Sequence, residues 1–358
     1  MSENFVDIIG FQLEKVHTGV ISWLLDTENH SASMSDKIVI LNKLLNSSLQ
    51  DDDVIKIKPV QEYSFGRSRR IDLVVEIINK RSNARYLLIE CKTDSDVNKN
   101  QLEESKKAFL KQKPNADCSF FVLTLGASQF TYQHIANDIK TLEFVVLDLS
   151  KTREIFSHLS IEGKSTIYDD WCDALEREEI RSSTIDQVFS DIGNMKNLKN
   201  SEQKLKKLGY RLGFPIFYTF YAKLREQLEN GPYKNWAIFS GSNNPVMDWQ
   251  DGNVEKGFGD ESLLLYWEFN WHSLTLKACP KDPEKKLPER WSHLRDDVER
   301  LCGSSGVPGG RKTANKQGTW ISIYKWDFDF CRESLHEIAT KTNMVLEDLH
   351  EKLRNIVY

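Results

Sequence analysis

The chain has 358 residues, of which 40% are hydrophobic and 28% charged, with 48 Lys and Arg against 53 Asp and Glu. This composition supports packed cores and excludes both a globally disordered chain and one coated with basic charge. No run approaches the ~18 apolar residues of a membrane-spanning helix, and the start of the chain lacks the pattern of a secretory signal. The length predicts two or three domains, and we expect a cytoplasmic protein.

The first two elements along the chain are predicted to be helices. Apolar side chains recur at spacings of three and four over residues 5–25, which is the period of one helical face. Glu14 and His17 lie three positions apart on a neighbouring stripe of this helix. After a polar break, residues 38–49 have the pattern of a second helix. The apolar stripe of the first helix consists of Val6, Ile9, Leu13, Val16, Val20 and Leu24.

Alternating and continuous apolar runs then predict a sheet. Residues 54–60 alternate as a strand does, and the β-branched runs 71–78 and 86–92 flank a polar turn, which predicts a hairpin. The remaining predicted elements of this region are a helix over 100–112 and buried strands over 119–125 and 142–149. This order predicts an α/β fold, an αβα sandwich around a mixed sheet, in a domain of residues 1–150.

The rest of the chain changes character twice. Residues 151–228 have a helical pattern and are predicted to form a helical connector. Seven of the nine tryptophans lie after residue 230, where strand and helix patterns mix, so residues 229–358 are predicted to form a second, α+β domain. Its predicted strands are 236–239, 263–271, 274–277 and 319–326.

Aromatic and basic residues lie close together near the end of this second domain. Trp320, Tyr324 and Trp326 are expected on one face of a strand, because alternate residues of a strand share a face. They form either part of the core or a platform on which bases stack beside basic residues that contact phosphates. The basic residues of this candidate nucleic-acid contact are Arg311, Lys312 and Lys316.

The hairpin of the first domain carries the residues best suited to catalysis. Asp72 lies early in its first strand, while Glu90 and Lys92 end the second strand and project from the same face. Antiparallel pairing can bring Asp72 alongside them. Two carboxylates beside a lysine suit Mg²⁺ or Mn²⁺ bound against phosphate oxygens. The alternative is a surface ion pair of Glu90 with Lys92, worth only ~0–1 kcal/mol of stability.

The order of these residues resembles the PD-(D/E)XK nuclease superfamily. The shared features are an aspartate in an apolar strand, a tight hairpin, Ile-Glu-Cys-Lys over residues 89–92, and Gln101 opening a helix. The upstream segment from Leu13 to Asp26, with Glu-x-x-His and Trp-Leu-Leu-Asp strings, resembles the opening of a bacterial and phage branch of that superfamily. The resemblance covers about residues 5–150 and implies a restriction-endonuclease-like fold.

The resemblance implies a role for each residue of the hairpin that matches. Asp72 and Glu90 would bind the metal, with the backbone carbonyl of Cys91 as a third ligand. Lys92 would orient or activate the attacking water.

Residues outside the hairpin would complete the site. Glu14 matches the helical glutamate of such sites, although Glu62 on the preceding strand is a rival for an acidic role. Gln101 would steady the site from the following helix, where this chain has Ser105 in place of a tyrosine that is common in the branch. The missing tyrosine concerns substrate positioning and not metal binding.

Three arginines, Arg67, Arg69 and Arg70, precede the catalytic strand. They form either a solvated turn or a set of phosphate contacts beside the site, for which guanidinium groups are well suited.

We therefore expect a Mg²⁺- or Mn²⁺-dependent nuclease that hydrolyses nucleic acid. DNA is the expected substrate in preference to RNA. The resemblance also implies a role in antiviral defence or mobile-element conflict. The alternative is a non-catalytic protein that binds nucleic acid or a partner and keeps the nuclease fold as a scaffold. Residues 200–358 would recognise the substrate, a regulatory partner or a second copy of the chain, and no membrane partner is expected.

Overall fold

The structure is a computed structural model that describes residues 4–65, 70–80, 84–126, 128–190, 213–240, 245–258, 261–282, 284–287, 291–314, 318–329 and 333–356. Contacts between residues divide the chain into two compact units, Met1–Thr184 (unit 1) and Ile185–Tyr358 (unit 2). Within the described residues, no helix is long and apolar enough to cross a membrane.

Unit 1 is built around a five-stranded mixed sheet with the strand order β1-β2-β3-β4-β5. Its strands are β1 (Val54–Ser64), β2 (Arg70–Asn79), β3 (Ala84–Thr93), β4 (Asp117–Leu125) and β5 (Phe144–Leu147). The first three strands are antiparallel, whereas β3, β4 and β5 run parallel. The predicted hairpin is β2 with β3, and the predicted αβα fold around a mixed sheet is confirmed.

Helices cover both faces of this sheet. The described helices between residues 5 and 190 are α1 (Phe5–Ile9), α2 (Glu14–Leu25), α3 (Met34–Leu45), α4 (Lys99–Gln112), α5 (Ser128–Thr131), α6 (Ala136–Thr141), α7 (Leu149–Phe156) and α8 (Thr166–Ser190). Leu102 and Phe109 of α4 and Ile139 of α6 pack into the core on one face, while α2 and α7 pack on the other. The central strand β3 is therefore buried on both sides, which explains its continuous apolar run.

The predicted single helix over residues 5–25 is two helices. The chain leaves α1 at Gly10, whose φ of 116° is readily adopted only by glycine, and α2 begins at Glu14 after a short turn. Leu13 caps α2 and is 46% exposed, so it does not belong to the buried stripe. Because of this break, Glu14 lies in the first turn of a helix.

Unit 2 contains a second, antiparallel sheet with the order β11-β12-β10-β9-β7-β6, and β8 pairs with β9. Its strands are β6 (Trp236–Ser240), β7 (Pro245–Trp249), β8 (Val254–Phe258), β9 (Glu261–Asn270), β10 (Ser273–Pro280), β11 (Gly310–Lys312) and β12 (Ile321–Asp327). Its helices are α9 (Gly213–Glu229), α10 (Trp291–Gly303) and α11 (Leu335–Arg354). The sequence pattern did not predict β7, β8 and β11, which are short and contain proline, glycine or charged residues.

The expectation that Trp320, Tyr324 and Trp326 share a strand face is wrong for Trp320. This residue lies outside β12 and is 55% exposed, whereas the other two rings are buried and lie 5.0 Å apart. The pairing of β10 with β12 also shifts register between Leu276 and Lys277, which breaks the alternation along β12. Two of the three rings therefore belong to the core, and no three-ring stacking platform forms in this part of unit 2.

Candidate active site

The β2–β3 hairpin brings an acidic residue of one strand beside the end of the other. The pairing register runs from Ile78 opposite Ala84 to Leu73 opposite Ile89. Beyond this last pair, the backbone N–H of Cys91 donates a hydrogen bond of 2.8 Å to Oδ2 of Asp72. This backbone N–H would otherwise be available for pairing between the strands. Its hydrogen bond fixes the Asp72 carboxylate at the open end of the hairpin, away from the turn.

Glu90 and Lys92 project from the same face of β3, as their spacing predicts. Nζ of Lys92 donates to Oε1 of Glu90 at 2.9 Å, and Nε2 of Gln101 on α4 donates to the same oxygen. Both side chains are buried, with Glu90 3% and Lys92 8% exposed. Oε2 of Glu90 is buried and has no hydrogen-bond partner among the described residues.

Glu14 reaches this pair from the first turn of α2. Its Oε1 lies 4.0 Å from Nζ of Lys92 and accepts hydrogen bonds of 3.3 Å from Thr93 N–H and from the Ser95 hydroxyl. Glu62 instead forms ion pairs with Lys15 at 2.9 Å and with Arg70 at 3.4 Å, and its side chain is 40% exposed. Of the two acidic rivals, the structure places Glu14 beside Lys92.

The electrostatics of this cluster are those of crowded carboxylates around one cation. Burial, together with the charges of Asp72 and Glu14, raises the pKa of Glu90 to about 7 despite the nearby lysine. Burial likewise raises the pKa values of Asp72 and Glu14. Burial lowers the pKa of Lys92, but the surrounding carboxylates outweigh burial and the net pKa is raised. Lys92 therefore stays protonated. Its single positive charge does not offset the burial and mutual repulsion of the carboxylates around it.

The donor set of this cluster fits a hard divalent cation. Asp72, Glu90 and Glu14 supply carboxylate oxygens, which Mg²⁺ and Mn²⁺ prefer, and the unbonded Oε2 of Glu90 is a buried acceptor that lacks a donor. Among the described residues, however, no three His, Cys, Asp or Glu side chains lie close enough together to hold a metal ion by themselves. Backbone oxygen and water ligands are therefore needed as well, as is usual for Mg²⁺.

The ion pair between Glu90 and Lys92 is present at 2.9 Å, but the expectation that it lies at the surface is wrong. Both partners are buried, so the pair lies in an environment where an ionised group that loses its partner is costly. Sequence spacing gave no measure of this burial, which comes from α2 and α4 covering the strand end.

The predicted basic contacts are distributed over both units. Arg70 begins β2, and its side chain is 63% exposed. In unit 2, Arg311 pairs with Asp327 at 2.7 Å and Lys312 with Glu299 at 3.1 Å. Arg67, Arg69 and Lys316 lie outside the described residues.

His17 does not join the acidic cluster, although it lies one helical turn from Glu14. Its ring is fully buried, with Nε2 bonded to the carbonyl oxygen of Phe11 at 2.7 Å and Nδ1 accepting from the indole N–H of Trp171 at 3.1 Å. A carbonyl can only accept and an indole N–H can only donate, so the ring is the neutral tautomer with its proton on Nε2. His17 is a packing residue that joins α2 to α8.

We expect His17 to make unit 1 sensitive to acid. Burial lowers its pKa to about 4, below the ordinary value of 6.5, so the unfolded chain binds a proton that the folded chain rejects. The free energy of unfolding should therefore fall as the pH drops below 6.5 and level off near 4, with a total change of about 3 kcal/mol. Urea unfolding at a series of pH values measures this effect.

The matched variant is His17→Gln, whose amide can donate to Phe11 and accept from Trp171 without titrating. It should have a flatter stability profile between pH 6.5 and 4. Parallel profiles for the two proteins would assign the acid sensitivity to other groups.

The residues that hold Glu14 are not predicted by the sequence pattern. Thr93 acts through its backbone N–H and Ser95 through its hydroxyl, and Ser128 at the start of α5 is bonded to Ser95 in turn. The only sequence signal is the position of Thr93 and Ser95 directly after the Glu-x-Lys string. Ser128 gives no local signal, because it reaches the site only through the fold.

Comparison with known proteins adds one match. The family model of the PD-(D/E)XK nuclease superfamily matches residues 3–207. No curated protein and no solved structure shows significant similarity to the chain.

Proposed function

Because the chain belongs to the PD-(D/E)XK nuclease superfamily, we propose that it hydrolyses phosphodiester bonds of nucleic acid with the help of Mg²⁺ or Mn²⁺. We further propose that DNA is the preferred substrate over RNA and that the protein acts in antiviral defence or mobile-element conflict. The observation that carries the proposal is the convergence of Asp72, Glu90 and Glu14 around Lys92, with one buried carboxylate oxygen lacking a donor.

Carboxylates would hold the cation together with backbone oxygen and water, since no three described side chains of the cluster do so alone. Asp72, Glu90 and Glu14 supply the side-chain oxygens, and the Cys91 carbonyl is the proposed backbone ligand. When bound, the cation would polarise the scissile phosphate and lower the pKa of a coordinated water.

The residues of the chain itself orient the reacting groups. Gln101 and Lys92 both donate to Oε1 of Glu90, so Oε2, which has no hydrogen-bond partner among the described residues, would be the oxygen that holds a cation. Because its pKa is raised, Lys92 acts as a donor that orients the water and stabilises negative charge on the phosphate, and not as a general base. The exposed guanidinium of Arg70, which pairs with Glu62, would contact a phosphate next to the one attacked.

Cleavage should depend on a divalent cation. Supercoiled plasmid, single-stranded DNA and RNA are incubated with the protein in Mg²⁺, in Mn²⁺ and in chelator, and we expect hydrolysis in the first two conditions only. DNA should be cut faster than RNA. The Asp72→Asn protein, purified in the same way, should be inactive and thereby excludes a contaminating nuclease.

The control variant is Glu76→Gln on the same strand, since Glu76 accepts a hydrogen bond from Tyr86 and takes no part in the acidic cluster. It should cleave as the wild type does. Nucleic-acid binding that is unchanged by metal, without cleavage under any condition, would favour the non-catalytic scaffold instead.

A further inference from the structure

A short turn after β3 provides both donors that hold Glu14. Thr93 ends the strand, and its N–H lies 3.3 Å from Oε1 of Glu14. Two residues later the Ser95 hydroxyl lies 3.3 Å from the same oxygen. The two donors come from one turn, so the orientation of Glu14 depends on the shape of that turn.

Ser128 holds the turn from the other side. Its hydroxyl accepts a hydrogen bond of 3.0 Å from the Ser95 N–H and donates one of 2.8 Å to the Ser95 carbonyl oxygen. Ser128 is fully buried and begins α5, three positions after β4 ends at Leu125. One hydroxyl thus bonds both backbone polar groups of Ser95, which restricts rotation of that residue.

The turn needs this support because its backbone is in an unfavourable conformation. Asp94, between the two donors, has a φ of 52° and is 6% exposed. For a residue other than glycine, the left-handed region costs about 1 kcal/mol or more. The neighbouring Gly126 has a φ of 56°, and a Cβ there would overlap the Asp94 carboxylate. A tight fit between the two strand ends therefore keeps the turn in place.

We propose that Ser95 and Ser128 are positioning residues for Glu14. Ser95 bonds the carboxylate directly, and Ser128 fixes Ser95, so that Glu14 faces Lys92 and the carboxylates of Asp72 and Glu90. The inference rests on the proposed function, because it assigns Glu14 to the metal-binding set. Groups that orient metal ligands typically contribute a factor of ~10–100 to metal affinity or activity.

A double-mutant cycle tests whether the two serines act through Glu14. The proteins are Ser95→Ala, Ser128→Ala, Glu14→Gln and the two combinations of each serine variant with Glu14→Gln. Mn²⁺ affinity by calorimetry and plasmid cleavage are measured for each. We expect each serine variant to lose ~10–100-fold in the wild-type background and less than about twofold when Glu14 is already Gln.

Equal losses in both backgrounds would overturn the proposal, because they would show a general structural role. Ser22→Ala is the matched control, since Ser22 is also a buried serine but lies about two helical turns after Glu14 on α2. Its Mn²⁺ affinity should equal that of the wild type, and melting temperatures report any loss of folding. A loss for Ser22→Ala as large as that for Ser95→Ala would also count against the proposal.

The two readouts separate this inference from the proposed function. A wild type that binds Mn²⁺ but cleaves no substrate contradicts the proposed function, while the cycle in Mn²⁺ affinity still decides the role of the serines. A wild type that neither binds Mn²⁺ nor cleaves nucleic acid contradicts both.

Discussion

Replacing Lys92 with alanine is expected to lower the rate of phosphodiester cleavage by about 10²–10³-fold, the usual loss when a donor that stabilises developing charge is removed. The ammonium of Lys92 lies 2.9 Å from Glu90 and 4.0 Å from Glu14, and its raised pKa keeps it charged at neutral pH. No other described side chain bonds to Glu90 with a positive charge. Initial cleavage rates at saturating Mg²⁺ measure the effect.

The same substitution should also lower stability. Lys92 is buried among three carboxylates, and removal of one partner of a buried ion pair typically costs about 3–5 kcal/mol. The cleavage assay is therefore run well below the melting temperature of the variant. A fall in melting temperature without loss of cleavage would make Lys92 a structural residue only.

Two further variants separate charge from geometry. Lys92→Arg keeps the charge but carries its donors in a planar fork, so it should recover more stability than cleavage. Lys106→Ala removes a lysine of α4 that pairs with Glu143 outside the cluster, and its cleavage rate should match that of the wild type.

Replacing Glu90 with glutamine is expected to move activity and stability in opposite directions. Cleavage should fall by about 100-fold, because a carboxylate proposed to hold the cation is lost. Stability should rise, because burial and the charges of Asp72 and Glu14 oppose ionisation of Glu90 and raise its pKa from 4.5 to about 7, while Lys92 keeps Glu14 and Asp72 as acidic neighbours. Functional residues commonly show such a conflict between activity and stability.

The pH dependence of this gain follows from the direction of the pKa shift. The folded pKa lies above the unfolded one, so ionised Glu90 destabilises the fold increasingly between pH 4.5 and 7 and by a constant amount above pH 7. The Gln variant lacks this cost. Its melting temperature should therefore exceed that of the wild type at pH 8, by an equivalent of ~1–3 kcal/mol, and match it near pH 4.5.

Addition of Mn²⁺ gives the complementary result. The cation should raise the melting temperature of the wild type, since a ligand that binds the folded state stabilises it. It should raise that of the Gln variant much less. An equal response of both proteins would place the metal away from Glu90.

The residues of the hairpin could be predicted from the sequence because their arrangement is local. The two β-branched runs with a polar turn determine the pairing of β2 with β3, and the i, i+2 spacing alone places Glu90 and Lys92 on one face. Gln101 follows within one connection, at the start of the next helix. The same periodic signals predicted the mixed sheet and the helices on both of its faces.

Only the tertiary structure decided which residues surround this hairpin and how deeply they are buried. Glu14 and Glu62 are equally acidic in sequence, and the choice between them depends on how α2 packs on the sheet. The same packing places His17 against Trp171, which is 154 positions away, and Ser128 against Ser95 across two strand ends. Contacts between residues far apart in the chain leave no periodic trace in the sequence, because each depends on the relative placement of whole elements. Local spacing therefore determined the strand that carries Glu90 and Lys92, while long-range packing decided its acidic partner, the charge of its lysine and the support of its turn.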